Sequence, residues 1–164
     1  MHESLADPIS IRPPVVTIRV PRREDLATLA TMVAELGTHH GDTATLDAVM
    51  LERDLFGPLP WVRGLIAEAD GDLIGYVLLT PAYRALDGAR GLEIHHLYVR
   101  PTFRNHGVGH NLVAIARDEA RRLGCSYLTV GAATGNFRAH RFYETNAFTP
   151  RPVTGMRFQQ VVVG

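Results

Sequence analysis

The chain has 164 residues, with 17 acidic side chains, 17 basic side chains and no net charge. All the basic residues are arginine, which excludes lysine Schiff-base chemistry and a lysine-dependent nucleoside triphosphate loop. A balanced charge gives no support to a nucleic-acid partner, and no apolar run is long enough to span a membrane. Residues 1–14 lack the apolar core of a signal peptide, so we expect a soluble cytoplasmic protein. The many alanines and arginines are typical of a GC-rich bacterial genome.

The pattern predicts a flexible N-terminal arm, residues 1–14, followed by a single domain, residues 15–164. In the first half of this domain, β-branched runs predict strands, and apolar residues three or four positions apart predict helices. These elements are a strand from Val15 to Val20, a helix from Asp25 to Leu36 that ends at Gly37, a second helix capped by Asp42 or Thr43 that ends at Leu55, and a hairpin of Trp61 to Glu68 and Leu73 to Thr80 joined by residues 69–72.

The second half begins with a polar excursion, residues 81–91, which we expect to lie outside regular structure. The elements that follow are a central strand from Leu92 to Val99, a helix from Val108 to Leu123 ended by Gly124, a strand from Ser126 to Val130, a helix from Asn136 to Thr145 with Asn146 in the left-handed position at its end, and one or two strands from Phe148 that end with Met156 to Val163. This order predicts a mixed α/β domain with a strand–helix–strand crossover near its end.

A glycine-bearing turn, Arg104 to Gly109, separates the central strand from the long helix. The first turn of a helix carries backbone N–H groups without partners, and the positive end of the helix dipole points the same way. Together these groups favour phosphate binding. A plain tight turn is the structural alternative.

Two side chains of the last helix strengthen the hypothesis of a cofactor site. Asn136 and Tyr143 are seven residues apart, which is two helical turns, so they share a face. The alternative for Tyr143 is a core aromatic whose hydroxyl merely finds a partner.

These motifs, taken together, resemble the GNAT (GCN5-related) N-acetyltransferase family. The matching stretches are Leu97 to Pro101, Phe103 to Gly109, Leu112 and Asn136 to Glu144, and the similarity extends from about Val15 to Phe148. The resemblance implies an acetyl-CoA-dependent acyltransferase with the α/β (α+β) GNAT fold. That fold is a mixed, mostly antiparallel sheet of six to seven strands flanked by about four helices.

The resemblance also implies which residues hold acetyl-CoA. The backbone from Leu97 through Tyr98 to Val99 would pair with the pantetheine arm, and an N–H near Leu97 or Tyr98 would polarise the thioester carbonyl. Asn136 would hydrogen-bond the same arm, and Tyr143 would protonate the departing thiolate. The pyrophosphate would lie on Arg104, Asn105, His106, Gly107, Val108 and Gly109.

The catalytic base is sought on the central strand, where Glu93, His95 and His96 are the candidates, with a water as an alternative relay. Strict alternation would put the two histidines on opposite faces, whereas the bulge that the family usually has would change this. Structural histidines remain an equal alternative. A zinc site that includes His39 and His40 matches no known ligand spacing, so we expect no metal. Cys125 is expected to be a structural thiol, which favours direct transfer in a ternary complex.

Within the family, the resemblance is to the diamine (spermidine/spermine-type) branch, through Asp54 to Gly57, Leu65 to Glu68 and Gly88 to Leu92. Two departures weaken it: histidines stand at 95 and 96 where that branch usually has acidic residues, and Gly135 stands where it usually has tryptophan. We therefore expect a small-molecule primary amine as acceptor, with a diamine as the narrower expectation. A protein or peptide N-acetyltransferase and a non-catalytic acetyl-CoA sensor remain alternatives. The branch also implies a homodimer, with Val161 to Val163 as a strand that could pair.

Overall fold

The structure is a computed structural model that describes residues 14–162. The predicted arm therefore lies outside the described residues except for its last residue, and so does Val163 at the predicted C-terminal strand. The chain forms two compact units, Met1–Gly131 and Ala132–Gly164. The strands are β1 (Val16–Arg19), β2 (Arg63–Ala69), β3 (Asp72–Arg84), β4 (Ala89–Val99) and β5 (Tyr127–Val130), and the α-helices are α1 (Leu26–His40), α2 (Ala48–Phe56), α3 (Val108–Arg122) and α4 (Phe137–Thr145).

The five strands form one sheet in the order β1-β2-β3-β4-β5. The first four strands pair antiparallel, and β4 pairs parallel with β5 through the crossover helix α3. A mixed, mostly antiparallel sheet with four α-helices confirms the predicted class. The predicted count of six to seven strands is wrong for residues 14–162, where the sheet has five.

Helices cover both faces of this sheet in the first unit. Leu29 and Met32 of α1 and Leu51 of α2 share a buried cluster with Tyr76 and Leu78 of β3. Because side chains alternate along a strand, the neighbouring Val77 and Leu79 point to the opposite face, and both are fully buried. That face is covered by α3, whose buried residues include Val108, Leu112, Val113, Ala116 and Ala120. Below, the face that carries Tyr76 and Leu78 is called the α1 face.

Two predicted boundaries in the first unit are wrong. Gly37 does not end α1, because one glycine weakens a helix by only about 1 kcal/mol. The helix instead continues to His40 and ends at Gly41, whose φ of 80° is left-handed. The cap of α2 is Asp47, whose side chain accepts from the Met50 N–H, rather than Asp42 or Thr43.

The segment 81–91, predicted as an irregular excursion, is instead a continuation of the β3–β4 hairpin. Its strands pair from Pro81 with Leu92 to Arg84 with Ala89, and a short 3₁₀ turn, Ala85–Asp87, joins them. The polar side chains misled the prediction, since a strand with solvent on one side tolerates them.

The second unit contains α4 and an irregular C-terminal segment. The predicted strands after Phe148 are absent from residues 148–162. Pro150 and Pro152 lack the N–H that a strand donates, and Gly155 adopts a φ of 118°. The left-handed position after α4 falls on Ala147, with a φ of 64°, and not on Asn146. No helix within residues 14–162 is long and apolar enough to cross a membrane.

Candidate active site

A β-bulge interrupts the central strand β4. Leu78 of β3 pairs with His96 and Leu79 pairs with Ile94, so His95 is an extra residue without a partner on β3. An extra residue changes which face the following side chains occupy. The bulge that the resemblance implied is therefore present, at one of the predicted catalytic residues.

This bulge brings the three candidate bases to one side of β4. Thr80 and Leu78 are two residues apart on β3 and face the same way, and their partners are Glu93 and His96. The rings of His95 and His96 stack with centroids 5.3 Å apart and planes inclined by 9°. The three side chains therefore share the α1 face, which strict alternation would not allow.

His96 is the most firmly held of the three. Its Nδ1 lies 3.2 Å from the hydroxyl oxygen of Tyr76, which belongs to the buried cluster under α1. Burial lowers the pKa of His96 below its ordinary value, and the nearby His95 and His40 lower it further. A lowered pKa keeps this imidazole neutral near pH 7, which is the form that a general base requires.

Beyond Ile94, β4 has no strand partner on the β5 side within residues 14–162. The two strands pair from Gly91 with Tyr127 to Ile94 with Val130, and this pairing does not extend to residues 95–99. The Arg100 N–H donates to the Ile74 carbonyl of β3 at 2.9 Å, so the backbone of Arg100 faces β3. Because backbone groups alternate sides along a strand, those of Leu97 face the side on which β5 pairs with the earlier part of β4.

The turn between β4 and α3 combines two left-handed residues. Asn105 has a φ of 63°, and Gly107, which precedes the first residue of α3, has a φ of 81°. Such alternation of backbone conformation turns successive N–H groups toward one point, where an anion can bind. The N–H groups of Val108 and Gly109 belong to the first turn of α3, where backbone N–H groups have no carbonyl acceptor within the helix.

Two side chains of this turn, Arg104 and His106, form hydrogen bonds with nearby backbone carbonyls. Arg104 donates from Nε to the Val99 carbonyl at 2.8 Å, and its guanidinium carbon lies 5.7 Å from the centre of the Tyr98 ring. His106 Nδ1 lies 2.7 Å from the Arg104 carbonyl and must donate to it. Both contacts fix the conformation of the turn, and they leave the terminal Nη groups of Arg104 as its charge-bearing donors.

In the second unit, Asn136 and Tyr143 lie at the two ends of α4. Asn136 is the cap of this helix, because its Oδ1 accepts from the Ala139 N–H at 3.1 Å. The Tyr143 ring makes edge contacts with Phe142 and Phe148, at centroid distances of 5.3 and 5.5 Å. Burial raises the pKa of Tyr143, so its hydroxyl keeps its proton at neutral pH.

Two residues near the site were missed by the sequence reasoning. Glu35 of α1 accepts from the Tyr98 hydroxyl at 2.9 Å and pairs with Arg100 at 3.2 Å, which ties α1 to the end of β4. Tyr76 contacts His96 from the neighbouring strand. No local signal marks Tyr76, because its role depends on the register of β3 and β4.

A metal site and surface pockets were the other candidates for a functional site among the described residues. No group of three or more histidine, cysteine or acidic side chains within residues 14–162 is arranged to hold a metal ion. Two pockets of about 350 Å³ lie in the first unit: a polar one lined by Arg19 and Asp25, and an apolar one lined by Leu55 and Trp61. Neither is lined by Glu93 or the stacked histidines.

The sequence model of the acetyltransferase (GNAT) family matches residues 31–148, which is most of the chain. The chain belongs to the GNAT acetyltransferase family. This GNAT protein is an N-acetyltransferase, as the resemblance of its motifs implied.

Relatives of this GNAT enzyme differ in the substrates that their names give. The thialysine N-epsilon-acetyltransferase of Bos taurus is 27% identical over 139 residues, which cover 79% of this chain and 81% of the relative. The L-methionine sulfoximine/L-methionine sulfone acetyltransferase of Salmonella typhimurium is 31% identical over 97 residues, 57% of this chain and 56% of the relative. A solved aminoglycoside N-acetyltransferase in complex with CoA has a TM-score of 0.76 and 18% identity, and covers 93% of this chain and 100% of that one, which supports the fold.

Proposed function

We propose that this enzyme transfers the acetyl group of acetyl-CoA to a primary amine of a small molecule by direct attack in a ternary complex. The observation that carries the proposal is the course of β4. The pairing with β5 ends at Ile94, and the turn at Asn105 and Gly107 follows eleven to thirteen residues later. An unpaired strand edge followed by an anion-binding turn suits a linear arm that ends in a pyrophosphate.

The open edge of β4 supports a role for Leu97 in activating the thioester. Its backbone N–H faces the β5 side of the strand, whereas alternation directs that of Tyr98 toward β3. An N–H fixed in a strand can donate to the oxygen that becomes negative as the amine attacks. Between the two residues that the resemblance implied, the register therefore favours Leu97.

The leaving thiolate needs a proton, and we assign its delivery to Tyr143 on the resemblance. Because burial raises the pKa of this hydroxyl, the proton is present at neutral pH. The acceptor's own proton goes to Glu93, His95 or His96, which share the α1 face. In balance, a nitrogen–carbon bond forms, the carbon–sulfur bond breaks, and the products are an amide and a thiol.

The acceptor proposal rests on the chemistry of the α1 face and on the relatives. The bovine and Salmonella relatives are both named for acetylation of small molecules, which supports a small amine. A diamine is the narrower proposal. It is weakened by His95 and His96, since imidazoles attract a second cationic group less than carboxylates would.

The test is release of free thiol from acetyl-CoA in the presence of an amine panel. The panel contains spermidine, lysine, thialysine, methionine sulfoximine and a peptide with a free N-terminus. We expect turnover with at least one small amine and none with the peptide. Removing the Tyr143 hydroxyl by Tyr143→Phe should lower kcat by about 100-fold, since a general acid contributes at least this much. Tyr127→Phe, which removes a hydroxyl from β5, is the matched control.

Each negative result identifies a different error. Turnover with the peptide alone would favour the protein N-acetyltransferase alternative. Tight calorimetric binding of acetyl-CoA without turnover on any acceptor would favour the sensor alternative. If spermidine, the polyamine of the panel, releases no thiol while another small amine does, the diamine proposal is rejected.

We further infer a cytoplasmic homodimer that pairs through the C-terminal segment. Large apolar side chains are exposed there, namely Val153, Met156, Phe158, Val161 and Val162. Burying them between two copies would be favourable at about 25 cal/mol per Å². Sedimentation equilibrium should show a dimer that Val161→Asp weakens, and a monomer at all concentrations would contradict it.

A further inference from the structure

We propose that His96 is a hydrogen-bond donor to the acceptor and not the base, because Tyr76 holds its imidazole in the tautomer with the proton on Nε2. The group that this N–H binds is a carboxylate, so the acceptor is an amine that also carries a carboxylate. The inference rests on the proposed function: it narrows the acceptor and leaves Glu93 and His95 as the candidates for the base.

The tautomer is assigned by the burial of Tyr76 together with its single contact. The residue is 0% exposed, and its hydroxyl oxygen lies 3.2 Å from His96 Nδ1, the one hydrogen-bond partner that it has within residues 14–162. Burial raises the pKa of this hydroxyl, and the charges of Tyr98 and Glu35 raise it further, so the hydroxyl keeps its proton. That proton needs an acceptor, and a neutral imidazole offers one lone pair. Nδ1 therefore accepts, and the proton of His96 is on Nε2.

The two neutral tautomers of His96 differ in what they leave unpaired. With the proton on Nδ1, the Tyr76 hydroxyl would have to accept from the ring, and its own proton would be stranded in the core. With the proton on Nε2, the hydroxyl donates to Nδ1 and no buried donor is stranded. A stranded buried donor is costly enough to favour the Nε2–H form by at least about fivefold.

The Nε2 atom of His96 is accessible to a ligand. His96 is half-buried, and in such residues within 14–162 every side-chain nitrogen or oxygen without exposed surface has a hydrogen-bond partner. Nε2 has no protein partner among these residues, so it must have exposed surface. With Nδ1 held by Tyr76 and the ring stacked on that of His95, Nε2–H is a donor of fixed direction.

The charges around this donor favour a negative partner over a second ammonium. His95 on β4 and His40 at the end of α1 lie near enough to His96 to lower its pKa, so both neighbours are donors or potential cations. The Glu35 carboxylate of α1 is already engaged by the Tyr98 hydroxyl and by an arginine. A carboxylate of the acceptor can therefore accept from Nε2–H without facing an unpaired anion from α1.

Glu93 provides the matching anion for the amine. Its partner Thr80 is two residues from Leu78, the partner of His96, which places the two side chains about 7 Å apart along the α1 face. An acceptor with its ammonium toward Glu93 and its carboxylate toward His96 fits both groups. The ammonium then loses its proton to Glu93 or His95, the nitrogen–carbon bond forms as the carbon–sulfur bond breaks, and His96 keeps its proton throughout.

The first experiment reads the tautomer directly, with or without turnover. Long-range ¹H–¹⁵N correlation on histidine-labelled protein at pH 8 should show His96 protonated on Nε2, with the Nδ1 resonance displaced by the hydrogen bond from Tyr76. In Tyr76→Phe, which keeps the buried ring, the Nδ1 resonance should move to the position of an unbonded lone pair. Tyr127→Phe should retain the wild-type spectrum. A wild-type His96 protonated on Nδ1, or an unchanged Nδ1 resonance in Tyr76→Phe, would overturn the proposal.

The second experiment compares each carboxylate-bearing amine of the panel with its counterpart that lacks the carboxylate, which for lysine is cadaverine. We expect kcat/KM to be at least about tenfold higher for the carboxylate-bearing member, the effect of about one hydrogen bond to a charged group. His96→Leu should remove most of this preference. His96→Gln places an amide N–H at about the reach of Nε2 and cannot take a proton, so it should recover the preference and keep the acid-side inflection of kcat/KM. His39→Gln, which changes an exposed histidine, is the matched control.

The outcomes separate this inference from the proposed function. Equal use of the two members of each pair, or turnover of spermidine alone, would reject the carboxylate and leave the proposed function standing. If His96→Gln loses as much kcat as His96→Leu and also loses the inflection, His96 is the base and the proposal is wrong. If no acceptor is turned over, the proposed function fails, whereas the ¹⁵N spectrum still decides the Tyr76–His96 contact.

Discussion

At the scale of single residues, the environment of His96 couples the chemistry of the site to the stability of the fold. The side chain is half-buried and faces two other histidines, His95 and His40. Its cationic form is therefore less favourable in the folded protein than in the unfolded chain. Burial that keeps this imidazole neutral is, by the same physics, burial that makes its protonation destabilise the fold.

We predict a pH dependence of stability that originates at His96. Because its folded pKa is depressed, the unfolded chain binds more protons as pH falls below the ordinary value of about 6.5. The contribution of His96 to stability is thus present above that pH and is lost as pH falls through the folded pKa. Urea unfolding at several pH values between 8 and 5 should show this loss, and His96→Asn should flatten it.

His39→Asn provides the matched comparison, since it removes an exposed histidine from the same helix that carries His40. This variant should keep the wild-type slope of the free energy of unfolding against pH. An equal slope in wild type and His96→Asn would show that the acid sensitivity originates elsewhere.

At the scale of elements, the contact of β4 with β5 depends on Gly91, because a glycine has no side chain to clash with the neighbouring strand. A Cβ at Gly91 would lie 2.3 Å from ring atoms of Tyr127, its partner on β5. The guanidinium of Arg84 covers the same ring at 4.5 Å from its centre. The Tyr127 ring therefore packs between Gly91 and Arg84 where β4 pairs with β5.

We predict that Gly91→Ala destabilises the enzyme by about 1–3 kcal/mol, the usual cost of overpacking a core. The cost should shrink in a Tyr127→Ala background, because the clashing ring is gone, with a coupling on the order of 1 kcal/mol. Chemical unfolding of the four proteins of this double-mutant cycle measures it. Additive effects would mean that another neighbour limits the space at Gly91.

Asn136 has two roles to separate, because it caps α4 and is also a predicted ligand of the pantetheine arm. The Oδ1 atom is engaged with the Ala139 N–H, so only the amide NH₂ can donate to a ligand. Asn136→Asp keeps the capping oxygen and removes that donor. Asn136→Ala removes both and should cost about 1 kcal/mol of stability.

We therefore predict that both variants bind acetyl-CoA about fivefold more weakly, the effect of one lost hydrogen bond, while only Asn136→Ala is destabilised. Isothermal titration calorimetry and thermal unfolding separate the two effects. Wild-type affinity in Asn136→Asp would restrict this residue to its capping role.

At the scale of the whole molecule, ligand binding should raise stability by mass action. Acetyl-CoA at 100 times its Kd would add about 2.7 kcal/mol, which corresponds to roughly 5–10 °C in Tm for a chain of this size. Gly107→Ala should reduce the increase, because alanine at a left-handed φ costs about 1–2 kcal/mol and distorts the turn. Differential scanning calorimetry, with each protein compared with its own ligand-free state, gives the result.

S-acetylpantetheine is the control ligand, since it has the thioester arm and no pyrophosphate. Its smaller stabilisation should be equal in wild type and Gly107→Ala. If the variant responds to both ligands as wild type does, the turn from Arg104 to Gly109 is not the pyrophosphate site.

The sequence could predict features that depend on neighbouring residues and could not predict those that depend on pairing. Gly107 and the capping Asn136 carry local backbone preferences, so their positions at helix starts were predictable. Tyr76 and His96 are twenty residues apart and meet only through strand register, which no local pattern contains. The C-terminal apolar residues have strand propensity, yet Pro150 and Pro152 outweigh it.

The extra residue at His95 reverses which face of the sheet the even-numbered side chains of β4 occupy. Before it, the even-numbered Leu92 and Ile94 belong to the α3 side, and after it the even-numbered His96 and Tyr98 belong to the α1 face. The even-numbered side chains of one continuous strand therefore pack first on the α3 side and then on the α1 face. Any transplant of this strand into another scaffold must keep the added residue, since a graft without it would exchange the α1 face and the α3 face for every side chain that follows.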